Sequence, residues 1–287
     1  PTKVDTGLLQ RNFNGWLRKQ GALSARMLDV PADYDRRFVL VDSGIGNQID
    51  DAINWVSEKA RGEKGAGGFG ALRDVLNEKF DYLSRRYLLE AIKATEVVPI
   101  VRQHLALGRK VVVFHDFKKG GGFNPFDIPV PSAAAPDSSP DTLQRSQEFR
   151  AAVTEFRAKF KTLVNAPLGR MDSPIEVFKR EFQDVLLING DEKKKQLLER
   201  YKSFQDDASG PQIMLVQSAK NKGWSGHDST GKHQRVLINL GQPTAPTLAI
   251  QQEGRIYRTG QVTDAIMRYL NTGTNWEKWA FATTIAS

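Results

Sequence analysis

Lys110-Val-Val-Val-Phe-His115 is the stretch on which the fold class turns. Four consecutive apolar residues with no polar alternation suit a strand covered on both faces, as strands of parallel sheets are; a strand with one wet face would alternate. Ahead of it, Tyr82 to Leu107 carries Leu88, Leu89, Ile92, Val97, Ile100 and Leu105 at helical spacing and stops at Gly108, where a helix end favours a left-handed residue. Beyond it, Asp184-Val-Leu-Leu-Ile188, Gln212-Ile-Met-Leu-Val216, Arg235-Val-Leu-Ile-Asn-Leu240 and Ala265-Ile-Met-Arg-Tyr269 read as further strands. Helices are predicted between them at Asp191 to Phe204 and Thr247 to Arg258. Strands alternating with helices predict an α/β fold: a parallel sheet flanked by helices, beginning at Lys110. Ligands of such sheets sit at the carboxyl ends of strands, so the residues just past Val216 and Leu240 become candidates.

Further helices are expected from Thr142 to about Leu163 and from Ser173 to about Gln183. Ser173-Pro174-Ile175-Glu176 opens the second as a capping box with Pro at the first helical position. Residues 1 to 81 read as a mainly helical accessory region. Thr6 to Gln20 carries Leu8, Leu9, Phe13, Trp16 and Leu17, and Asp50 to Lys59 carries Ile53, Trp55 and Val56, while Arg37 to Asp42 is an apolar run suited to a strand. Residues 82 to 287 form the sheet domain. Its Gly/Pro/Ala/Ser-rich stretch at about 118 to 141 has no periodicity and reads as a mobile, disordered-looking insertion.

The chain has 287 residues, 40% of them hydrophobic, enough for a substantial core. Lys+Arg 41 against Asp+Glu 33 gives +8 and a pI near 9.6, a balance that favours polyanionic partners. With no cysteine, disulfides and Cys-ligated zinc are excluded. No apolar run approaches the ~20 residues of a membrane span, so no membrane partner is expected and an intracellular setting is the default. Residue 1 is Pro, with no charged and apolar leader behind it, and the chain is expected to be a piece of a longer protein.

Two segments carry chemistry. In Gln251-Gln-Glu-Gly254-Arg255-Ile-Tyr-Arg258, the predicted helix puts Gln251, Arg255 and Arg258 on one face. Permanently charged guanidinium forks behind a glutamine able to hold a water suit a polyphosphate undergoing cleavage. The loop Gln217-Ser-Ala-Lys-Asn-Lys-Gly-Trp-Ser-Gly-His-Asp228 follows a buried strand. Gly223 and Gly226 let its backbone approach a phosphate, and Ser218, Lys220 and Lys222 supply donors and charge. Either segment alone also fits an ordinary solvated surface; their order along the chain favours a site. His115 and Asp116, at a strand's carboxyl end, face substrate or cap the strand.

Four other patterns read as coincidence. Gly226 to Lys232 imitates a phosphate-binding loop, but His233 stands where a magnesium-binding hydroxyl belongs and a strand follows instead of a helix. Gly65 to Gly70 spells G-x-G-x-x-G after a polar stretch and reads as a linker. Asp191-Glu192 heads a lysine-rich helix, where Asp is an ordinary cap. A metal site from His227, Asp228 and His233 is not favoured, and His104 is expected on a helix surface.

The segment Gln251 to Arg258 resembles motif VI of superfamily-two helicases and translocases, Q-x-x-G-R-x-x-R, and the trailing Thr259-Gly260-Gln261 looks most like the Swi/Snf-type and strawberry-notch-type branches. The loop ending at Gly226-His227-Asp228 resembles motif V, Lys110 to Asp116 resembles motif IV, and Val262 to Glu277 resembles the strand and helix after motif VI. The resemblance spans about Leu83 to the end, the insertion apart. It implies a RecA-like C-terminal helicase lobe, whose ATP and Mg2+ are held mainly by an N-terminal RecA-like lobe of the same parent protein. By the same resemblance Arg258 is the arginine finger, Arg255 a second phosphate or interlobe contact and Gln251 a sensor of the γ-phosphate and water. Gly226, Asp228 and Gly254 lie on the nucleotide side, Asp228 as a ribose or coupling contact. Ser218, Lys220, Lys222, Gly223 and His115 meet nucleic acid, DNA rather than RNA. The setting implied is a bacterial or phage-type cytoplasm or a nucleus. A non-catalytic nucleic-acid-binding scaffold with the same fold and a small-molecule enzyme of the doubly wound class are the competing readings.

Overall fold

The computed structural model describes Trp16 and residues 32–41, 44–63, 67–190, 194–220 and 222–285. Its strands are β1 (Tyr34–Leu40), β2 (Lys110–His115), β3 (Val185–Ile188), β4 (Ile213–Gln217), β5 (Arg235–Asn239) and β6 (Ala265–Asn271). They form one sheet in the order β1-β6-β5-β2-β4-β3, with every pairing parallel. The expected α/β class is therefore observed, with one correction. The sheet does not begin at Lys110: β1, inside the supposed accessory region, pairs along β6 from Tyr34 to Leu40 and forms an edge. A division at residue 82 thus cuts through one sheet.

The helices are α1 (Ile45–Gly62), α2 (Gly68–Lys79), α3 (Tyr82–Ala106), α4 (Pro140–Lys159), α5 (Lys161–Asn165), α6 (Pro174–Glu181), α7 (Lys194–Gln205), α8 (Pro246–Glu253) and α9 (Asn275–Thr284). Helix α3 ends as read, with Gly108 at φ 70, and Ser173 and Glu176 form the expected capping box on α6. The helix expected over Thr6 to Gln20 lies outside the described residues apart from Trp16, which is helical, and so does the cap expected at Asp191-Glu192. Gly68 to Gly70 open α2 instead of belonging to a linker, because Phe69 and Gly70 donate their N–H groups to the Glu63 carboxylate at 3.1 and 3.0 Å.

Each central strand is buried on both faces. Val111 and Val113 point into one core with Ala94, Val97 and Val101 of α3 and Val177 and Phe178 of α6. Val112 and Phe114 point into another with Tyr201 and Phe204 of α7, Trp224, Ala249 and Ile256. That two-sided burial is why the strand reads as an unbroken apolar run. A third core joins α1, α2, the N-terminal half of α3, α4 and α5. Phe126 and Ile128 of the supposed mobile insertion are buried in it, and the Asn124 side chain donates to the carbonyls of Leu163 and Val164 at 3.0 Å. The stretch lacks regular structure as read, but its apolar side chains hold it down.

Candidate functional site

Helix α8 stops at Glu253 with Gly254 as its cap, so the shared helical face expected for Gln251, Arg255 and Arg258 does not form. Gly254 and Arg255 turn the chain back through hydrogen bonds to Ile250 and Gln252 carbonyls, 2.9 and 3.0 Å. What brings the arginines together is the loop after β4. Arg255 donates from Nη1 to the Trp224 carbonyl at 2.8 Å and from Nε to the Gln251 carbonyl at 3.1 Å. Arg258 Nη1 donates to Ser225 Oγ. The Gly226 N–H donates to the Arg255 carbonyl at 2.7 Å, closing the two segments on each other.

Among the described residues neither arginine has a carboxylate partner. All of their hydrogen bonds go to neutral oxygens, in contrast to Arg36, Arg86, Arg235 and Arg268, each of which rests on an acid. Burial and then the charge of Arg258 lower the Arg255 pKa from its ordinary value. Two guanidinium groups near each other, with no carboxylate partner among the described residues, have the chemistry to accept an anion.

The surrounding network is buried and polar. Gln252, not Gln251, turns inward: it accepts from Asn239 Nδ2 at 2.6 Å and donates to Ser218 Oγ at 3.3 Å, joining β5, α8 and the loop after β4. Gln251 is exposed. Glu253 accepts from Arg36 Nε and Nη2, at 2.7 and 2.5 Å, and from the Tyr269 hydroxyl at 2.8 Å. The helical spacing points to Gln251; the helix end at Gly254 and the contact with Asn239 bury Gln252 instead.

Gly226 and Asp228 are both held in the hydrogen-bond network of their own loop. The Gly226 carbonyl accepts from buried Arg235 Nε at 3.0 Å, and a Cβ there would meet the Trp224 ring at 2.7 Å. The Asp228 carboxylate accepts from Gly231 N at 2.8 Å, Thr230 N at 3.1 Å and Thr263 Oγ1 at 2.6 Å, which ties this loop to the start of β6. Gly223 has φ 85, a conformation glycine adopts freely, and is exposed together with Lys222. Lys220 is half-buried, its carbonyl accepting from the Tyr201 hydroxyl at 3.3 Å.

The carboxyl end of β2 differs from expectation. His115 is buried and faces no solvent; its Nδ1 lies 3.0 Å from the Phe117 carbonyl, so the ring proton sits on Nδ1, and burial lowers its pKa to about 4. His104 is likewise buried, not on a helix surface, with Nδ1 accepting from Arg109 at 2.9 Å. Glu90 of α3, which no motif pointed to, accepts the Asp116 and Phe117 N–H groups at 2.7 and 2.8 Å. Arg86 holds Asp116 at 2.5 Å.

No protein-family model matches the chain, and no curated protein matches it. Similar solved structures include the C-terminal part of the Fun30 ATPase domain, with 12% identity and a TM-score of 0.37, covering 67% of this chain and 43% of that one. The DUF1998 helicase MrfA bound to DNA has 14% identity and a TM-score of 0.34, covering 67% and 19%. A Dbp5 variant of S. cerevisiae bound to RNA and ADP BeF3 has 13% identity and a TM-score of 0.32, covering 63% and 33%. The chain therefore spans less than half of the length of each of these three.

Among the described residues no group of three or more His, Asp or Glu side chains is gathered to hold a metal ion, and no helix is long and apolar enough to cross a membrane.

Proposed function

We propose that the chain is the second motor lobe of an ATP-dependent superfamily-two helicase or translocase, acting on nucleic acid and on DNA rather than RNA. The observation that carries this reading is the pair Arg255 and Arg258, fixed on the loop after β4 and lacking any carboxylate among the described residues. Phosphate oxygens are the natural counter-charge for two such guanidinium groups. ATP supplies the phosphoryl group and Mg2+ neutralises its oxygens, both held mainly by an N-terminal lobe of the parent protein. Arg258, the more exposed of the pair, is the finger that reaches across; Arg255, braced by two carbonyls, sets the loop and meets a second oxygen. Gln251, exposed at the end of α8, senses the γ-phosphate and attacking water, and Gly254 lies on the nucleotide side. Ser218, Lys220, Lys222 and Gly223 follow the nucleic-acid backbone. His115, being buried, has no direct part in that contact.

In the intact parent protein, Arg258→Ala is expected to cut nucleic-acid-stimulated kcat by about 10³-fold or more while leaving nucleotide affinity within a few-fold, since the finger acts on charge that develops in the transition state. Arg258→Lys should rescue poorly, because a point charge does not reproduce the fork. Near-normal turnover by a folded Arg258→Ala parent would show that these arginines are surface residues and would overturn the motif VI assignment.

A further inference from the structure

We infer that the surface carrying Tyr82, Trp276 and Trp279 is a stacking platform for the bases of single-stranded nucleic acid, an inference that rests on the nucleic-acid reading above. Tyr82 is 55% and Trp279 65% exposed, large flat side chains left in water. Tyr82 and Trp276 meet edge to face with ring centroids 6.0 Å apart. Trp276 and Trp279 stand three residues apart on α9 and so neighbour each other on one helix face.

Arginines stand over several of these rings. Arg86 lies 5.6 Å over the Tyr82 ring and 5.4 Å over Phe117, and Arg85 lies 5.9 Å over Trp276. Phe117 follows the carboxyl end of β2, so the rings continue onto the edge of the sheet where ligands of parallel sheets collect. Lys278 is exposed on the same helix as the tryptophans. Three carboxylates lie nearby: Asp81 caps α3 through Ser84 N at 2.8 Å, Asp50 accepts Asn275 N at 2.8 Å and Asp116 pairs with Arg86.

Exposed aromatic rings on a chain of net charge +8 suit a partner that is both planar and anionic. A single strand offers both its bases and its phosphates. A duplex keeps its bases stacked on one another and offers the rings nothing, and a protein surface would gain little from the positive charge.

The test measures binding to the 287-residue chain by fluorescence anisotropy at low salt. The probes are a labelled oligothymidylate of about twelve residues, an abasic strand of equal length and a blunt duplex. The oligothymidylate should bind at least about fivefold tighter than the abasic strand. Tyr82→Ala and Trp279→Ala should each shrink that ratio toward one while leaving abasic binding within about twofold, and Tyr82→Phe, which keeps the ring, should preserve it. Lys220→Ala should weaken both strands equally.

Equal binding of the two strands by the wild-type chain overturns the platform and leaves the backbone track intact. So does a base preference that survives both alanine variants, or a duplex bound as tightly as the single strand; a protein partner would then be the better occupant. Failure of every probe to bind overturns the nucleic-acid reading itself.

Discussion

Glu90 keeps a carboxyl group inside the protein and uses both oxygens to accept the backbone N–H groups of Asp116 and Phe117. Burial, reinforced by the charge of Asp116, raises its pKa from 4.5 to about 8. An acid whose folded pKa lies above its unfolded value favours the folded state below pH 4.5, and that contribution is lost as pH rises through 8. The buried histidines act in the opposite sense. Burial lowers His104 and His115 from 6.5 to about 4, so their contribution is present above pH 6.5 and is lost as pH falls through 4. Stability against urea should therefore decline on both sides of about pH 6.5, by about 1.4 kcal/mol for each tenfold difference in proton affinity between the folded and unfolded chain. His115→Gln should flatten the acid side between pH 6.5 and 4, and Glu90→Gln the alkaline side between pH 6.5 and 8. An acid side as steep in His115→Gln as in wild type would mean that the ring is not held neutral.

At the scale of elements, two glycines two residues apart in α2 have opposite duties. A Cβ on Gly68 would meet the Glu148 carbonyl oxygen at 2.1 Å, so this glycine sets how closely α2 and α4 pack. A Cβ on Gly70 would meet nothing nearer than a Glu63 oxygen at 3.9 Å. Gly68→Ala must push two helix backbones apart and should destabilise by roughly 1–3 kcal/mol, as overpacked sites do. Gly70→Ala lies in open space on a helix and should be neutral or stabilising by up to about 1 kcal/mol. Thermal unfolding of the two variants measures this, and a Gly68→Ala chain as stable as wild type would show that the helices give way freely. Spacing alone does not distinguish the two positions, because a close helix approach depends on which residue lies across the gap.

For the whole molecule, the proposed function divides ATP chemistry between two lobes. The sequence between Gly226 and Lys232 imitates a phosphate-binding loop, but Arg235–Asn239 follows as a strand, and Asp228 binds its own loop and Thr263. The isolated chain is accordingly expected to show no ATP turnover above buffer, with or without nucleic acid, in a phosphate-release assay. Metal-dependent turnover abolished by Lys232→Ala would overturn the two-lobe reading.

The strands and most helices were legible because their signals are local. An unbroken apolar run at Val111 to Phe114 requires cover on both faces, Gly108 permits a left-handed stop and Ser173 with Glu176 closes a cap within four residues. The pairing of Arg255 with Arg258 was legible as a charge pattern, but not its geometry. Gly254 ended α8 before either arginine, and the loop after β4 then fixed both through Trp224 and Ser225, some thirty residues earlier in the chain. The burial of His115, Gln252 and Glu90, the packing of Phe126 and the place of β1 beside β6 were likewise settled only by tertiary structure. Periodicity records how a segment meets water; which distant segment covers it depends on the paths of chains that touch only once the sheet is assembled.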